Sequence, residues 1–428
     1  MASVNKVSML KTHEGGRASK ISKKEELLKL TMTCMLWEDT FYVDGVSVAE
    51  RIHNLVHEAG EPVSREVMYK AKHEQKLRHA PLWIAVAMAE KGWLLACDVV
   101  SICTRADDMT ELLALYWKDG KRPVPKQMLK GLGKAFKGFN EYALAKYDRN
   151  GSVKLRDVLR IARPKPDNVD QASLWGRVVK RTLATPDTWE VELSSGKDKG
   201  EVFTRLLVEK KLGDLAFIRN LRNMSTVSKE IIRSSFAERK WARILPFQFV
   251  TAARYNPQFE PEIETAMLKC LEELPHISED VVLLVDTSGS MSGNLSSKSE
   301  TTRIDVASGL AILLRELCNS ISVYGFNYHS TLVPARRGFA LRDAIGHASG
   351  GTHMWTAIRE TPACDIKIVI TDEQTMDSGS YTDARADLLV IINVASTDRG
   401  VGYGNKVLHI NGWSENVVSF LQEYLKSN

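Results

Sequence analysis

The sequence lacks the features that would place the protein in a membrane or outside the cell. No run of eighteen apolar residues occurs in the 428-residue chain, so no segment is predicted to cross a membrane as a helix. The first sixteen residues contain no apolar signal core, and the six cysteines include no CxxC pair. We therefore expect a cytoplasmic protein with reduced thiols and no membrane partner.

Motifs of several enzyme and metal-site classes are also missing. The chain has no GxxxxGK[ST] phosphate-binding loop and no HExxH zinc motif. His53 and His57 are four residues apart in a predicted helix, but without a third ligand in the sequence we interpret them as a surface or partly buried pair. No histidine base or pair of carboxylates has the arrangement expected for nucleophilic or acid–base catalysis, so we do not predict an enzyme.

The pattern of the chain changes once, near residues 276–280. Before this point apolar residues recur at helical spacing with no convincing strand, which predicts stacked helical pairs of a HEAT-like all-α domain. After it, apolar runs alternate with helices, which predicts a doubly wound α/β sheet of parallel strands. The strands are predicted at 281–285, 320–326, 366–370, 388–394 and 407–410. The predicted domains are a flexible segment at 1–22, a helical domain at 23–278 and an α/β domain at 279–428.

The segment 281–293, VVLLVDTSGSMSG, is the most informative part of the chain. Its apolar strand leads into Asp286, Ser288 and Ser290, which alternate across a glycine-containing turn at the carboxyl end of the strand. One carboxylate and two hydroxyls suit a small, hard cation such as Mg²⁺. The alternative for an isolated Asp-x-Ser-x-Ser is the capped start of a helix, since Asp and Ser favour that position.

This pattern resembles the metal-ion-dependent adhesion site of von Willebrand factor A domains. Thr352, in a Gly-Gly-Thr sequence, matches the family's threonine ligand, and Asp372, after the strand 366–370, matches its aspartate. The chain departs from many family members at His353, where an acid often follows the threonine. The resemblance implies a divalent-metal site, with Mg²⁺ as the expected ion, formed by Asp286, Ser288, Ser290, Thr352 and Asp372.

Positive charge is concentrated in one segment of the predicted helical domain. Residues 121–165 contain 13 basic and 3 acidic residues, a net charge of +10, whereas the whole chain carries +5. Lys126, Lys130, Lys134 and Lys137 are spaced for one face of a helix. Basic groups interleaved with aromatic rings suit the phosphates and bases of single-stranded RNA, and the alternative is a solvated basic face over core aromatics.

Four segments are similar to the TROVE module of the Ro family of RNA-binding proteins, and a helical module followed by an A domain is typical of that family. They are YALAKYDRNGSVKLRDVLRIARPKP at 142–166, TPDTWEVEL at 185–193, LAFIRNLRNMS at 215–225 and ILPFQFVTAARY at 244–255. The similarity extends from about residue 23 to 428, and the length is similar to that of bacterial or phage-encoded Ro-like proteins.

The resemblance implies a ring of helical repeats closed by the A domain. Such proteins bind small noncoding Y RNAs on an outer basic surface, and single-stranded ends of misfolded or decaying RNA in a central hole. Lys146, Arg149 and Arg163 match basic positions of the family. The expected RNA-binding residues are Lys121, Arg122, Lys126, Lys130, Lys134, Lys137, Lys146, Arg149 and Arg163.

The sequence is compatible with two functions. The first is a monomeric, non-catalytic RNA-binding scaffold with a Y-like RNA and single-stranded RNA ends as partners. The second is a metal-dependent protein-interaction module that acts through the A domain, with an exoribonuclease among its expected partners.

Overall fold

The computed structural model describes residues 22–32, 39–40, 43–74, 77–148, 151–241, 244, 246–272, 274, 276–294, 301–395, 407–411 and 421. The chain divides into two compact units. The helical unit comprises residues 23–37 and 46–196, and the mixed unit comprises residues 1–22, 38–45 and 197–428. Within the described ranges, no helix has the length and apolarity needed to cross a membrane.

The described residues of the helical unit form α-helices joined by short connections. The helices are α1 (Lys23–Met32), α2 (Val48–Ala59), α3 (Glu61–Tyr69), α4 (His79–Glu90), α5 (Ala96–Ile102), α6 (Ala106–Tyr116), α7 (Lys126–Phe136), α8 (Glu141–Tyr147), α9 (Leu155–Ala162), α10 (Val169–Lys180) and α11 (Trp189–Ser194). A π-helical turn at Lys70–Glu74 continues α3. Two short strands, β1 (Asp39–Thr40) and β2 (Val43–Ser47), pair with each other before α2 in the chain; β1 and residues 43–45 of β2 belong to the mixed unit.

Helix α4 lies in the core of the helical unit because its sequence is apolar on every side. All ten residues from Ala80 to Ala89 are buried. The surrounding helices are amphipathic and turn their apolar faces inward, so that one hydrophobic cluster extends from Leu27 in α1 to Val178 in α10. Helices α1–α10 of this unit are packed around this single cluster.

Three helices of this unit begin with the same type of cap. In α5, α6 and α9 the third helical residue is an aspartate, respectively Asp98, Asp108 and Asp157. Each carboxylate accepts a hydrogen bond of 2.9–3.0 Å from the backbone N–H of the residue that precedes the helix. These bonds satisfy donors that the helix itself leaves unpaired and set where each helix begins.

The described residues of the mixed unit form helices followed by an α/β sheet. The helices are α12 (Lys199–Val208), α13 (Asp214–Asn220), α14 (Lys229–Glu238), α15 (Pro246–Tyr255), α16 (Glu260–Leu271), α17 (Arg303–Leu317), α18 (Gly338–Ile345) and α19 (Met354–Glu360). The strands are β3 (Ile277–Asp286), β4 (Cys318–Phe326), β5 (Ser330–Leu332), β6 (Cys364–Thr371), β7 (Ala386–Asn393) and β8 (Val407–Asn411). Short 3₁₀ turns span Leu221–Asn223, Pro257–Phe259, Gly289–Ser292 and Tyr381–Ala384.

The six-stranded sheet has the order β5-β4-β3-β6-β7-β8, and only β5 runs antiparallel to its neighbour. Strand β3 is central, and Leu283 pairs with Val323 on one side and Ile368 on the other. All residues from Val281 to Asp286 are buried, as expected for a parallel strand covered on both faces. The carboxyl ends of β3 and β6 therefore meet at one edge of the sheet.

The structure confirms the predicted combination of an all-α part and an α/β part with a mostly parallel sheet. The five predicted strands correspond to β3, β4, β6, β7 and β8, each within a few residues. The expectation of no strand before residue 276 was wrong, because β1 and β2 precede α2. These strands are too short, and β2 too polar, to show the alternation by which strands are recognised in a sequence.

The two helices that precede the sheet in the chain, α15 and α16, pack against helices α17 and α18 within the mixed unit. The Phe339 backbone N–H donates a 2.7 Å hydrogen bond to Glu264 of α16. Arg254 of α15 forms an ion pair with Asp305 of α17. The change from helices to strands falls between Leu271 and Ile277, and the division into compact units falls at residues 196–197. The domain boundary at 278 stays a prediction.

Candidate functional sites

The Asp-x-Ser-x-Ser loop begins at the carboxyl end of β3. Asp286 is the last residue of the strand, and its carboxylate is completely buried. One carboxylate oxygen accepts the backbone N–H of Ser288 at 2.8 Å, and the other accepts the Thr371 hydroxyl at 2.6 Å. The hydroxyl oxygens of Ser288 and Ser290 lie 3.2 Å apart. The first three predicted metal ligands thus come from one loop held against the end of β6.

Backbone hydrogen bonds bring the other two predicted ligands to this loop. The Gly289 N–H donates to the Gly350 carbonyl at 2.8 Å, which places the Gly-Gly-Thr segment of Thr352 beside the loop. Thr352 is buried, and its carbonyl accepts the Met376 N–H at 2.9 Å. Asp372 directly follows β6 and is also completely buried. The three chain segments predicted to hold the metal are therefore adjacent.

The electrostatics of this cluster disfavour two ionised carboxylates without a counter-charge. Burial, together with the negative charge of Asp372, raises the pKa of Asp286 from 3.8 to about 7. A positive charge at the end of β3 would offset this effect. Two carboxylates, two serine hydroxyls and one threonine hydroxyl are hard oxygen donors of the kind that Mg²⁺ accepts. The residues present therefore fit a divalent cation.

Arg303 is a member of this cluster that the sequence reasoning missed. It is the first residue of α17, its side chain is only 5% exposed, and one guanidinium nitrogen lies 3.1 Å from an Asp372 carboxylate oxygen. The same nitrogen donates to the Ser290 carbonyl at 3.2 Å. The helix that Arg303 begins is buried along most of its length, but the contact with Asp372 joins residues 69 positions apart and leaves no pattern in the sequence. Arg303 supplies part of the counter-charge that Asp372 needs.

The lysines predicted to share a helix face do so in α7. Lys126, Lys130 and Lys134 are exposed, whereas Leu132 and Phe136 on the opposite side are buried. Among the described residues, no carboxylate lies within ion-pair distance of these three lysines. This face of the helix therefore carries a positive field that no nearby carboxylate compensates. The like charges also repel one another at this spacing.

The orientation of α7 is set by a close approach to α5. Gly131 is buried, and a Cβ atom added there would lie 2.5 Å from the Val99 Cβ and 2.8 Å from the Ala96 carbonyl oxygen. Only glycine permits this distance. The helix cannot rotate without losing the contact, so the direction of its lysines is fixed relative to α5.

Lys137, the fourth lysine of the series, differs from the other three. It follows the last residue of α7 and forms an ion pair with Asp167. Its charge is therefore partly compensated, and it contributes less to the positive surface than the sequence spacing suggests.

Three of the five remaining predicted RNA contacts lie beside aromatic rings. The Lys121 ammonium lies 5.8 Å from the Trp117 ring centre, and the Arg122 guanidinium 4.1 Å from that of Tyr116. Lys146 lies 5.9 Å from the ring of Tyr142, which is 55% exposed.

Two predicted contacts have other surroundings. Arg163 is exposed in a left-handed backbone conformation, with φ 46°, just after α9. Arg149 lies outside the described residues. The structure thus places several of the predicted contacts in the helical unit near α6–α9 and leaves their role as a prediction.

Comparisons with known proteins agree with the resemblance found in the sequence. Residues 171–260 match the family model of the TROVE domain, a range that contains three of the four similar segments. The fold is similar to the crystal structure of the Deinococcus radiodurans RO (RSR) protein, with 16% sequence identity and a TM-score of 0.62. That similarity covers 95% of this chain and 100% of the Deinococcus chain. No curated protein matches the sequence. The domain match and the shared fold confirm the predicted likeness to TROVE proteins of the Ro type.

Proposed function

We propose that this chain is a non-catalytic RNA-binding scaffold that takes part in RNA quality control or decay. Its TROVE match and its structural likeness to a Ro protein support this function. The partners we propose are a small noncoding, Y-like RNA and the single-stranded ends of misfolded or decaying RNA. Both present phosphate groups to the positive surface around α7.

The observation that carries the proposal is the exposed lysine face of α7. Lys126, Lys130 and Lys134 lie one turn apart along the same side of the helix, over about 12 Å of helix axis. Neighbouring phosphates of an RNA strand could contact them in succession. Each contact releases counterions from the RNA, so binding should weaken steeply as salt is added.

Single-stranded RNA is favoured over a protein polyanion by the aromatic rings near these lysines. Tyr142 is exposed and lies under the Lys146 ammonium, so a base could stack on the ring while the ammonium contacts a phosphate. Tyr147 is flanked by Lys146 at 5.7 Å and by Arg105 at 4.5 Å from its ring centre. Rings paired with cations match the alternating bases and phosphates of a single strand, which an acidic protein does not offer.

The proposal is tested by replacing Lys126, Lys130 and Lys134 together with Ala. The probe is an RNA hairpin with a single-stranded 3′ tail, titrated at several salt concentrations, beside the same hairpin without the tail. Removing three phosphate contacts should weaken binding and reduce the slope of log K against log salt by about 2–3. Adding Lys137→Ala should change little more, since that lysine is already paired with Asp167.

The matched control replaces three exposed lysines of the mixed unit, Lys199, Lys229 and Lys269, with Ala. It lowers the net charge equally and should leave affinity and salt slope nearly unchanged. Equal losses in both triple variants would show that only net charge matters and would contradict a localised RNA surface. An unchanged affinity in a correctly folded α7 variant would contradict the proposal altogether.

A second function is favoured by the cluster at the carboxyl end of β3. We propose that Asp286, Ser288, Ser290, Thr352 and Asp372 hold Mg²⁺ and that the ion binds an acidic oxygen of a protein partner, such as an exoribonuclease. The adjacency of the three segments and the buried carboxylates support this. When bound, the ion would supply a positive charge with an open coordination position.

The test is binding of a purified exoribonuclease from the same cells, with Mg²⁺ and with EDTA. Binding that needs Mg²⁺ and is lost in Asp286→Asn supports the proposal, whereas binding unaffected by EDTA contradicts it.

A further inference from the structure

Two histidines and a glutamate form a separate cluster in the helical unit. His53 and His57 lie one turn apart on α2, and Glu90 is the last residue of the neighbouring helix α4. One candidate ligand atom from each side chain lies within 4.8 Å of the others. The sequence offered only the histidine pair, and the fold adds the third ligand from 33 residues further along the chain.

One hydrogen bond fixes the tautomer of the His57 ring. Its Nε2 atom lies 3.2 Å from the Ala87 carbonyl oxygen, which can only accept a hydrogen bond. Nε2 therefore carries the proton, and in the neutral ring Nδ1 keeps a free lone pair. Burial lowers the pKa of His57, which favours this neutral form. Donation of the second ring N–H to a carbonyl is the usual arrangement of a metal-binding histidine.

His53 and Glu90 are also held in place. Nε2 of His53 lies 2.6 Å from one oxygen of Glu90, and Arg122 forms an ion pair with the other oxygen. Burial raises the pKa of Glu90, but the hydrogen bonds from Arg122 and His53 outweigh it, and the net pKa is lowered. The carboxylate is therefore ionised and fixed at neutral pH.

Aromatic rings enclose the two histidines. The His53 ring centre lies 5.8 Å from that of Trp83, and the His57 ring centre 6.5 Å from that of Trp93. The two imidazoles meet edge to face, with their ring centres 4.5 Å apart. Both imidazoles of the cluster thus lie beside a tryptophan ring and against each other.

We propose that His53, His57 and Glu90 bind Zn²⁺ and that the ion ties α2 to α4. Two imidazole nitrogens and one carboxylate oxygen are a known ligand set for zinc, with the fourth position open to water. Zinc–ligand bonds of about 2.1 Å place tetrahedral ligand atoms about 3.4 Å apart. The His53–Glu90 contact must open by less than 1 Å, as the ion replaces the proton between the two atoms. Both side chains are about one-quarter exposed, so they have room to move.

A histidine–glutamate ion pair without metal is the competing explanation, and the chain contains a matched example. His79 forms an ion pair with Glu111, which also pairs with Arg78, but among the described residues no second histidine joins them in a group of candidate metal ligands. His53, Glu90 and Arg122 repeat this arrangement with His57 added. His79→Gln therefore serves as the control for losing a surface ion pair.

The experiment measures Zn²⁺ affinity of the full-length, metal-stripped chain by competition with a chromophoric chelator. Excess Mg²⁺ is present throughout, so that the oxygen cluster at β3 does not contribute. The variants are His57→Gln, Glu90→Gln and the control His79→Gln, each checked for folding by circular dichroism. We expect one Zn²⁺ per chain, an affinity loss of about tenfold or more in the first two variants and no loss in the control.

Cobalt provides a second readout, which does not depend on any variant. Co²⁺ bound to the wild-type chain should give the intense visible absorption of a tetrahedral nitrogen–oxygen site, and added Zn²⁺ should remove it. Octahedral Co²⁺ absorption, equal Zn²⁺ affinity in all chains, or an equal loss in His79→Gln would each overturn the proposal.

Discussion

Replacing Asp286 with Asn should stabilise the metal-free protein at pH 8. The substitution keeps the shape of the side chain but removes a buried negative charge beside Asp372. Raising the pKa from 3.8 to about 7 corresponds to about 4 kcal/mol, at about 1.4 kcal/mol for each tenfold change in the acid dissociation constant. The amide keeps the contact with the Ser288 N–H but weakens that with the Thr371 hydroxyl, which costs about 1–2 kcal/mol. The expected net gain is about 2–3 kcal/mol.

The extra stability of Asp286→Asn over the wild type should increase as the pH rises. The folded protein holds the Asp286 proton up to about pH 7, whereas the unfolded chain releases it near pH 3.8. Between these values the folded state binds more protons, so the free energy of unfolding of the wild type falls as the pH rises. Asn does not titrate, so the advantage of Asp286→Asn should be near zero at pH 5 and full at pH 8.

Magnesium should make the wild type more stable than Asp286→Asn at pH 8. Mg²⁺ offsets the carboxylate repulsion and stabilises the wild type by mass action, whereas the variant lacks one ligand. The assay is urea unfolding at pH 5 and pH 8, with EDTA and with Mg²⁺. Asp343→Asn removes an exposed carboxylate of the same unit and should change the stability by less than about 0.5 kcal/mol. A variant less stable than the wild type in EDTA at pH 8, or an equal Mg²⁺ response in both proteins, would refute the reasoning.

Three further predictions concern the same two units. Arg303→Gln should destabilise the metal-free protein by about 3–5 kcal/mol, because it removes the guanidinium that lies 3.1 Å from the buried Asp372 carboxylate, and Mg²⁺ should restore part of the loss; urea unfolding measures both. Gly131→Ala should cost about 1–3 kcal/mol through overlap with Val99, while Gly176→Ala, which has open space, should be neutral or slightly stabilising in the same assay. Labelled RNA incubated with the pure protein and Mg²⁺ should stay intact on a denaturing gel; cleavage that disappears in a point mutant would contradict the non-catalytic proposal.

Features that depend on local spacing could be predicted from the sequence. Buried parallel strands are continuous apolar runs, so β3 and β6 stand out, and the Asp-x-Ser-x-Ser loop follows β3 directly. The lysines of α7 follow the helical period, so their common face needs no tertiary information. The three-residue strand β5 has no apolar alternation and was not predicted.

Features that depend on distant residues could not be predicted. Arg303 contacts Asp372 across 69 positions of the chain, and Lys137 contacts Asp167 across 30. Glu90 reaches His53 only because α4 packs beside α2. Each of these pairs changes the charge available at a proposed site, and none leaves a periodic pattern in the sequence.

The short strand β5 also affects how the protein behaves at high concentration. It covers the carboxyl-terminal part of β4, from Tyr324 to Phe326, and runs antiparallel to it. Its exposed side offers only three residues for hydrogen bonding to a strand of another molecule. So short an edge is a poor template for intermolecular strand addition. The part of β4 that β5 covers, Tyr324–Phe326, is therefore protected against aggregation by strand pairing.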